Sequence, residues 1–214
     1  MNNILISIPT MGQNDFRFTL SLASLIIPEN SSVMAIPRVM IDTARNMFCQ
    51  KFLENKEKTH LFFLDDDMTF DSDILMRLLE HDVDIIGALA FKRVADYQPC
   101  VYQKNPEDNN YYPIIPKEMQ EVDVIGTAGF LIKRNVIESM KNPWFETPYT
   151  EDGKHFSVDF NFCMKAKEAG FKIWCDPTIE MKHIGEAPLI GKQEFLQHVS
   201  KNFINKQKND SLHK

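Results

Sequence analysis

Short apolar runs, interrupted by at most one polar residue, alternate along the chain with segments in which apolar residues recur at helical spacing. The runs at residues 4–8, 61–64 and 83–90 predict buried strands, because a strand covered on both faces needs no polar alternation. The segments at 40–52 and 74–79 carry apolar residues three and four positions apart, which predicts helices. This alternation of strands and helices is typical of a mostly parallel α/β sheet flanked by helices.

The second half of the chain predicts further strands, separated by a helix and two irregular segments. Residues 121–132 read as a strand, a patch of small residues and a second strand, whereas 157–170 predicts a helix and 171–183 two short strands. Residues 95–120 are rich in Pro, Asn, Tyr and Lys and predict an insertion or a lid, a kind of loop that often contacts a substrate. The polar loop that follows residue 141 is expected to expose three aromatic residues, Trp144, Phe145 and Tyr149.

Length and composition place these elements in one globular unit. With 214 residues, 43% of them hydrophobic and 25% charged, the chain is long enough for a single sizeable α/β core. We predict one domain over residues 1–200 and a polar, frayed tail over 201–214. The net charge of −6, without any block rich in Lys or Arg, argues against specific nucleic-acid binding.

The cysteines and the apolar segments predict a cytoplasmic protein. No signal peptide or transmembrane span is expected, because no charged n-region precedes an apolar core and no apolar run approaches about 18 residues. No CxxC pair occurs, and apolar or aromatic neighbours favour free buried thiols over disulfides or zinc ligands. The four cysteines are Cys49, Cys100, Cys163 and Cys175.

An acidic triplet is the most informative stretch of the sequence. Asp65, Asp66 and Asp67 directly follow an apolar run, and unpaired carboxylates cannot continue into a dry core. The strand must therefore end there, at the edge where open α/β sheets bind ligands. In an extended segment Asp65 and Asp67 point the same way, which offers two oxygen ligands to one divalent cation that carries phosphates. The alternative is a solvated turn, with Asp71 and Asp73 as helix caps.

Four other positions are candidates for the same site. Arg45 falls in an early helical turn, where its planar fork could bind a phosphate, or it is a surface residue paired with Asp42 three positions earlier. Asp159 stands at the start of a predicted helix, where a simple N-cap role does not exclude catalysis. Gly129 belongs to a small-residue patch that allows a close backbone approach or marks a bulge. His183 follows a strand near the end of the fold.

In this order, the stretches resemble the nucleotide-sugar-dependent glycosyltransferases of the GT-A fold, specifically the family 2-like group that includes many short bacterial and phage enzymes. The resemblance covers roughly residues 4–186 and rests on six motifs. They are IPT (Ile8 to Thr10), DTARN (Asp42 to Asn46), LDDDM (Leu64 to Met68), GTAGFLIKR (Gly126 to Arg134), VDFNFCMKAKEAGFKIWCDP (Val158 to Pro177) and HIG (His183 to Gly185).

The resemblance implies a single-domain GT-A (Rossmann-like) α/β fold with a mixed, mostly parallel sheet. It implies a metal-dependent glycosyltransferase, using Mn²⁺ or Mg²⁺, that moves a sugar from a UDP- or GDP-linked donor to an acceptor hydroxyl. The acceptor is left open among glycans, lipids and proteins, and inversion at the anomeric carbon is favoured.

The resemblance also assigns roles to residues. Asp159 would match the family's general base, although Val158 stands where a glutamate is usual. The residues assigned to the metal are Asp65, Asp67 and His183. The residues assigned to the nucleotide sugar are Pro9, Thr10, Arg45, Asn46, Asp65, Asp66 and Gly129.

Two other functions remain open at this point. A strand followed by DxDxT is also the pattern of haloacid-dehalogenase-like phosphatases, with Asp65 as nucleophile and Asp67 as acid, but their motif belongs on the first strand and no late GDxxxD follows here. The second is a non-catalytic nucleotide-sugar-binding protein with the same fold. An EF-hand calcium loop is excluded, because Phe70 stands where glycine is required.

Overall fold

A seven-stranded mixed sheet runs through the centre of the protein. The computed structural model describes residues 2–94, 96–149, 153, 157–185 and 190–212, with side chains as far as Asn202. Five of the seven strands run in one direction, and the other two, β10 and β8 below, are antiparallel to their neighbours. In spatial order the strands are β2 (Ser32–Pro37), β1 (Ile4–Thr10), β3 (His60–Leu64), β10 (Gly129–Lys133), β5 (Ile85–Leu89), β11 (Ile173–Glu180) and β8 (Gln120–Val122). The predicted mixed, mostly parallel α/β sheet is confirmed.

Two small sheets and six helices complete the described part of the fold. The small sheets are β4 (Met68–Thr69) with β12 (Lys182–His183), and β6 (Val101–Lys104) between β7 (Tyr111–Pro113) and β9 (Val124–Ile125). The helices are α1 (Phe16–Ser24), α2 (Ile41–Glu54), α3 (Ile74–Glu80), α4 (Arg134–Ser139), α5 (Val158–Glu168) and α6 (Lys192–Leu212). Strands β6 and β7 lie in the segment that the sequence predicted as an insertion or a lid.

Side-chain alternation along the central strands divides the core between the two faces of the sheet. On β3, Leu61 and Phe63 pack into the cluster that α2, α4 and α5 cover, whereas Phe62 and Leu64 pack into the cluster that α1 and α3 cover. All four residues are fully buried. The unbroken apolar run before the acids is therefore the consequence of helices on both faces.

Other expectations about the chain are confirmed or corrected by the structure. The four cysteines are free, and three of them are buried. Among the described helices, none combines the length and the apolar character needed to cross a membrane.

The expectation of exposed Trp144 and Phe145 is wrong, since they are 5% and 1% exposed, whereas Tyr149 is 67% exposed as expected. Helix α6 continues through Leu212, so part of the predicted tail is helical, and that it is frayed stays a prediction. Stacking of Phe195 on Phe91 holds the start of that helix against the domain.

His60, at the start of β3, makes the stability of the fold sensitive to acid. Burial lowers the pKa of His60 from 6.5 to about 4, and the charge of Lys133 acts in the same direction. Between these values the unfolded chain binds a proton that the folded protein does not bind. The free energy of unfolding should therefore fall as the pH drops from above 6.5 toward 4, by up to about 3 kcal/mol.

We expect His60→Asn to remove this part of the pH dependence while keeping a polar partner for Thr59, whose Oγ1 lies 2.8 Å from His60 Nδ1. Urea midpoints of both proteins at about pH 7.5 and about pH 4.5 measure the difference. Equal losses of stability in the two proteins on acidification would contradict the assignment to His60.

Candidate active site

The acidic triplet closes β3 at the edge of the sheet, but its two outer carboxylates face different partners. Strand β3 ends at Leu64, and Asp66 and Asp67 lie in a turn. The backbone amide of Asp65 still donates to Ala128 O at 3.0 Å. The segment is therefore not extended as expected, because the chain turns directly after Asp65, and the two carboxylates have different partners.

Arg45 connects Asp65 to a residue from the other end of the chain. Its Nη1 donates to Asp159 Oδ1 at 2.5 Å, and its Nη2 donates to Asp65 Oδ1 at 3.2 Å. The guanidinium is only 4% exposed and lies 5.7 Å and 5.8 Å from the ring centroids of Phe63 and Phe145. The alternative of a surface pair with Asp42 is wrong, and Arg45 is a buried cation shared by two carboxylates.

Asp159 lies in the first turn of α5 with one carboxylate oxygen occupied. The helix is capped by Ser157, whose Oγ accepts from the amide of Phe160 at 3.3 Å, so the N-cap role considered for Asp159 belongs to Ser157. Asp159 Oδ1 accepts from Arg45 and also from Thr127 Oγ1, at 2.7 Å. Within the described part of the chain, Oδ2 accepts no hydrogen bond, which leaves it open to a substrate group.

Asp67 and His183 form the other half of the site. Asp67 Oδ2 lies 3.5 Å from His183 Nε2 and 3.2 Å from Arg93 Nη1. The two segments are held together by the β4–β12 pairing and by the amide of Ile184, which donates to Asp67 O at 2.8 Å. His183 Nδ1 lies 2.5 Å from Phe91 O, and since a carbonyl only accepts, Nδ1 carries the proton and Nε2 faces Asp67.

The electrostatic environment differs between the two outer acids. Burial raises the pKa of Asp65 to about 6, with the charges of Asp159 and Asp67 adding to the effect and Arg45 opposing it. Burial also opposes ionisation of Asp67, but the hydrogen bond from His183 and the charges of His183 and Arg93 outweigh it and lower the pKa of Asp67. Both pKa values lie below 7, so Asp65 and Asp67 can both be charged at neutral pH.

These groups fit a divalent cation in part. Carboxylate oxygens are the usual ligands of Mg²⁺ and Mn²⁺, and an imidazole whose Nδ1 is hydrogen-bonded to a carbonyl is a common ligand of transition-metal ions. Asp67 and His183 already face each other, whereas Asp65 is turned toward Arg45. Among the residues that the structure describes, no three His, Cys, Asp or Glu side chains converge closely enough to hold a metal ion. The set of Asp65, Asp67 and His183 stays a prediction that requires Asp65 to turn from Arg45.

A groove of about 300 Å³ runs along the acidic triplet and joins it to the end of β1. One side of the groove is acidic and the other is largely apolar, with Met40 75% exposed and Met11 73% exposed. This combination suits a ligand with a flat apolar part and a charged part. The lining residues are Pro9, Thr10, Met11, Val39, Met40, Ile41, Asp65, Asp66 and Asp67.

Two predicted site residues have packing roles in the structure. Asn46 Oδ1 accepts from the amides of Trp144 and Phe145, at 2.9 Å and 3.0 Å, and its Nδ2 donates to Phe145 O at 2.7 Å. Asn46 therefore holds the Phe145 ring beside the Arg45 guanidinium. A Cβ at Gly129 would overlap Met181 Sδ, so the missing side chain makes room for Met181. Contact of either residue with a nucleotide sugar stays a prediction.

Two polar residues that contact the site's carboxylates were not predicted as site residues. Thr127 lies in the small-residue patch, whose spacing gave no sign that its hydroxyl would reach Asp159. Arg93 lies in a loop after β5, and its only sequence signal is a pair of basic residues, Lys92 and Arg93, directly after a buried strand. Two basic residues after a strand that ends at the same sheet edge as the acids indicate a site residue, because parallel strands end at the same edge.

Comparisons with known proteins give the fold. No family model matches the chain, and no curated protein matches it. Among solved structures, A197 from STIV aligns with a TM-score of 0.61 and 19% identity over 90% of this chain and 91% of that one. The fold is GT-A-like.

Two further solved structures are complexes with sugar nucleotides or their parts. TarS 1–349 of S. aureus in complex with UDP-GlcNAc aligns with a TM-score of 0.52 and 13% identity over 84% of this chain. GalNAc-T7 with UDP, GalNAc and Mn²⁺ aligns with a TM-score of 0.57 and 13% identity over 86% of this chain. The alignments span 57% and 44% of those two chains, and at such identities the likeness concerns the fold.

Proposed function

We propose that the protein is a metal-dependent glycosyltransferase that moves a sugar from a nucleoside-diphosphate sugar to an acceptor hydroxyl. The observation that carries the proposal is the buried Arg45 guanidinium, which binds both Asp65 at the end of β3 and Asp159 at the start of α5. A base for an acceptor and an acidic groove for a donor therefore share one end of the sheet.

The donor is proposed to occupy the groove along the acidic triplet. A nucleobase would pack on its apolar side near Pro9 and Thr10, and the diphosphate would lie toward Asp67. A uridine nucleotide is favoured over a guanosine nucleotide, because the TarS structure contains UDP-GlcNAc and the GalNAc-T7 structure contains UDP. A divalent cation held by Asp67 and His183, with Asp65, would neutralise the negative charge that develops on the leaving diphosphate.

Asp159 is proposed as the general base. Arg45 and Thr127 hold Oδ1, so the carboxylate has a fixed orientation, and Oδ2 is left to accept the proton of the acceptor hydroxyl. The oxygen of that hydroxyl then attacks the anomeric carbon as the diphosphate leaves. Attack from the side of Asp159, opposite a diphosphate near Asp67, would invert the anomeric configuration.

A thermal-shift screen tests the donor part of this proposal. UDP, GDP and their sugar conjugates, with Mn²⁺ or with EDTA, are each added to the protein. We expect one diphosphate family to raise the melting temperature only with the metal, because a ligand at 100 times its Kd stabilises the folded state by about 2.7 kcal/mol. A shift of equal size in EDTA, or no shift with any nucleotide, would contradict the proposal.

A further inference from the structure

Arg93 occupies the place at Asp67 that a divalent cation would need. Its Nη1 lies 3.2 Å from Asp67 Oδ2, the same oxygen that faces His183 Nε2 at 3.5 Å. The Arg93 side chain is 58% exposed, and among the described residues it has no other polar partner. A positive ion that approaches Asp67 Oδ2 meets a guanidinium that is already there.

Breaking the Arg93–Asp67 ion pair costs little free energy. Pairs between exposed side chains contribute little to stability, since solvent screens the charges and both side chains lose conformational freedom. A divalent cation at Asp67 would attract the carboxylate more strongly than Arg93 does and would repel the guanidinium. Arg93 would therefore leave Asp67 when a cation arrives, while His183, which is anchored through Nδ1 to Phe91 O, would stay.

Two other cations near the site, Arg45 and Lys92, are held by partners of their own. Arg45 is buried and uses both ends of its fork on Asp65 and Asp159. Lys92 Nζ donates to Gln98 Oε1 at 3.3 Å and lies 5.8 Å from the ring centroid of Tyr102. Of the three, only Arg93 combines exposure with a single partner that the cation would take over.

We propose that Arg93 exchanges partners during substrate binding: it pairs with Asp67 while the donor is absent, and it binds the donor's diphosphate once a divalent cation has replaced it. The inference rests on the proposed function, because it requires a diphosphate beside Asp67. A planar guanidinium binds two phosphate oxygens at once, so the released side chain has a stronger partner than the one it left. The exchange makes metal binding weak without nucleotide and couples the two ligands.

Calorimetric titrations of Mn²⁺ and UDP into wild type and Arg93→Ala test the exchange. Without nucleotide, Arg93→Ala should bind Mn²⁺ about three- to fivefold more tightly, because the competing cation is gone. With saturating Mn²⁺, the same variant should bind UDP about tenfold more weakly or worse, because a charge-assisted bond to phosphate is lost. A general electrostatic effect of removing one positive charge would not by itself identify the exchange, whereas tighter Mn²⁺ binding together with a loss of UDP affinity at saturating Mn²⁺ is what the exchange predicts.

Two control variants sharpen the comparison. Lys92→Ala removes the same charge one residue away and should leave both affinities within about twofold, since Lys92 is directed to Gln98 and Tyr102. Arg93→Lys keeps the charge but not the planar fork, so it should restore the wild-type Mn²⁺ affinity and only part of the UDP affinity.

The outcomes distinguish failure of the inference from failure of the proposed function. If wild type binds UDP only with Mn²⁺ but Arg93→Ala binds both ligands as wild type does, the exchange is wrong and the proposed function stands. Weaker Mn²⁺ binding by Arg93→Ala would also overturn the exchange. If wild type does not bind UDP, and GDP at the same concentrations does not bind either, both proposals fall.

Discussion

An Asp67→Asn variant is expected to lose Mn²⁺-dependent binding of the nucleoside diphosphate, with affinity at least about 100-fold lower. The substitution removes the charge that His183 and Arg93 both face and leaves a neutral amide, which is a poor ligand for a hard divalent cation. Because Asp67 is partly exposed and its partners are cationic or polar, the fold should tolerate the change. Calorimetry with UDP and Mn²⁺ measures the loss.

Asp71→Asn is the matched control for this variant. Asp71 is an exposed acid in the same stretch of chain, and none of the described contacts joins its carboxylate to the site. The control should bind UDP and Mn²⁺ as wild type does. Retained metal-dependent binding in Asp67→Asn would remove the acidic triplet from the donor site and reopen the phosphatase and binding-protein alternatives.

The second large effect is expected for Asp159→Asn: turnover falls by about 10²- to 10⁴-fold while the donor still binds within about threefold of the wild-type affinity. An amide at this position cannot accept the proton of the acceptor hydroxyl. UDP release from UDP-sugars reports the turnover, and calorimetry reports the binding. Since Arg45 is buried and loses one of its two carboxylates, a melting curve must accompany both measurements.

Thr127→Val separates the chemistry of Asp159 from the stability of its surroundings. The variant keeps the Asp159 charge and its bond to Arg45 but removes the second donor to Oδ1. We expect turnover to fall about tenfold, with donor affinity unchanged, because the carboxylate is less firmly oriented.

If Asp159→Asn turns over as fast as wild type, Asp159 is not the base. If wild type binds donor but shows no turnover, the chain is a binding protein with the same fold.

The hydrophobic pattern of the sequence was enough to predict the elements nearest the site. The run at residues 61–64 is a strand buried on both faces, and the acids end it at the sheet edge as the cost of burying carboxylates requires. Likewise, helical spacing predicted α2, in whose early turns Arg45 and Asn46 lie. These features are local, since each depends on residues a few positions apart.

The partners of the charged side chains depended on the tertiary structure. Arg45 has an acid three positions earlier in the sequence, yet it pairs with Asp65 and Asp159, 20 and 114 positions away. Trp144 and Phe145 stand in a polar segment that predicts exposure, yet the amides of both are bound by Asn46, and the Phe145 ring packs against Phe162 with centroids 4.4 Å apart.

The sequence by itself therefore determined which segments form the sheet, which faces are buried and where acids must emerge at its edge, because periodicity and the cost of burying charge act along the chain. Only the tertiary structure decided that Asp65 and Asp159 meet at Arg45, that Thr127 reaches Asp159, and that Arg93 covers Asp67. Those contacts form when strands far apart in sequence become neighbours in the sheet. The pairing of charges is then selected by distance and exclusion of water, neither of which a linear pattern contains.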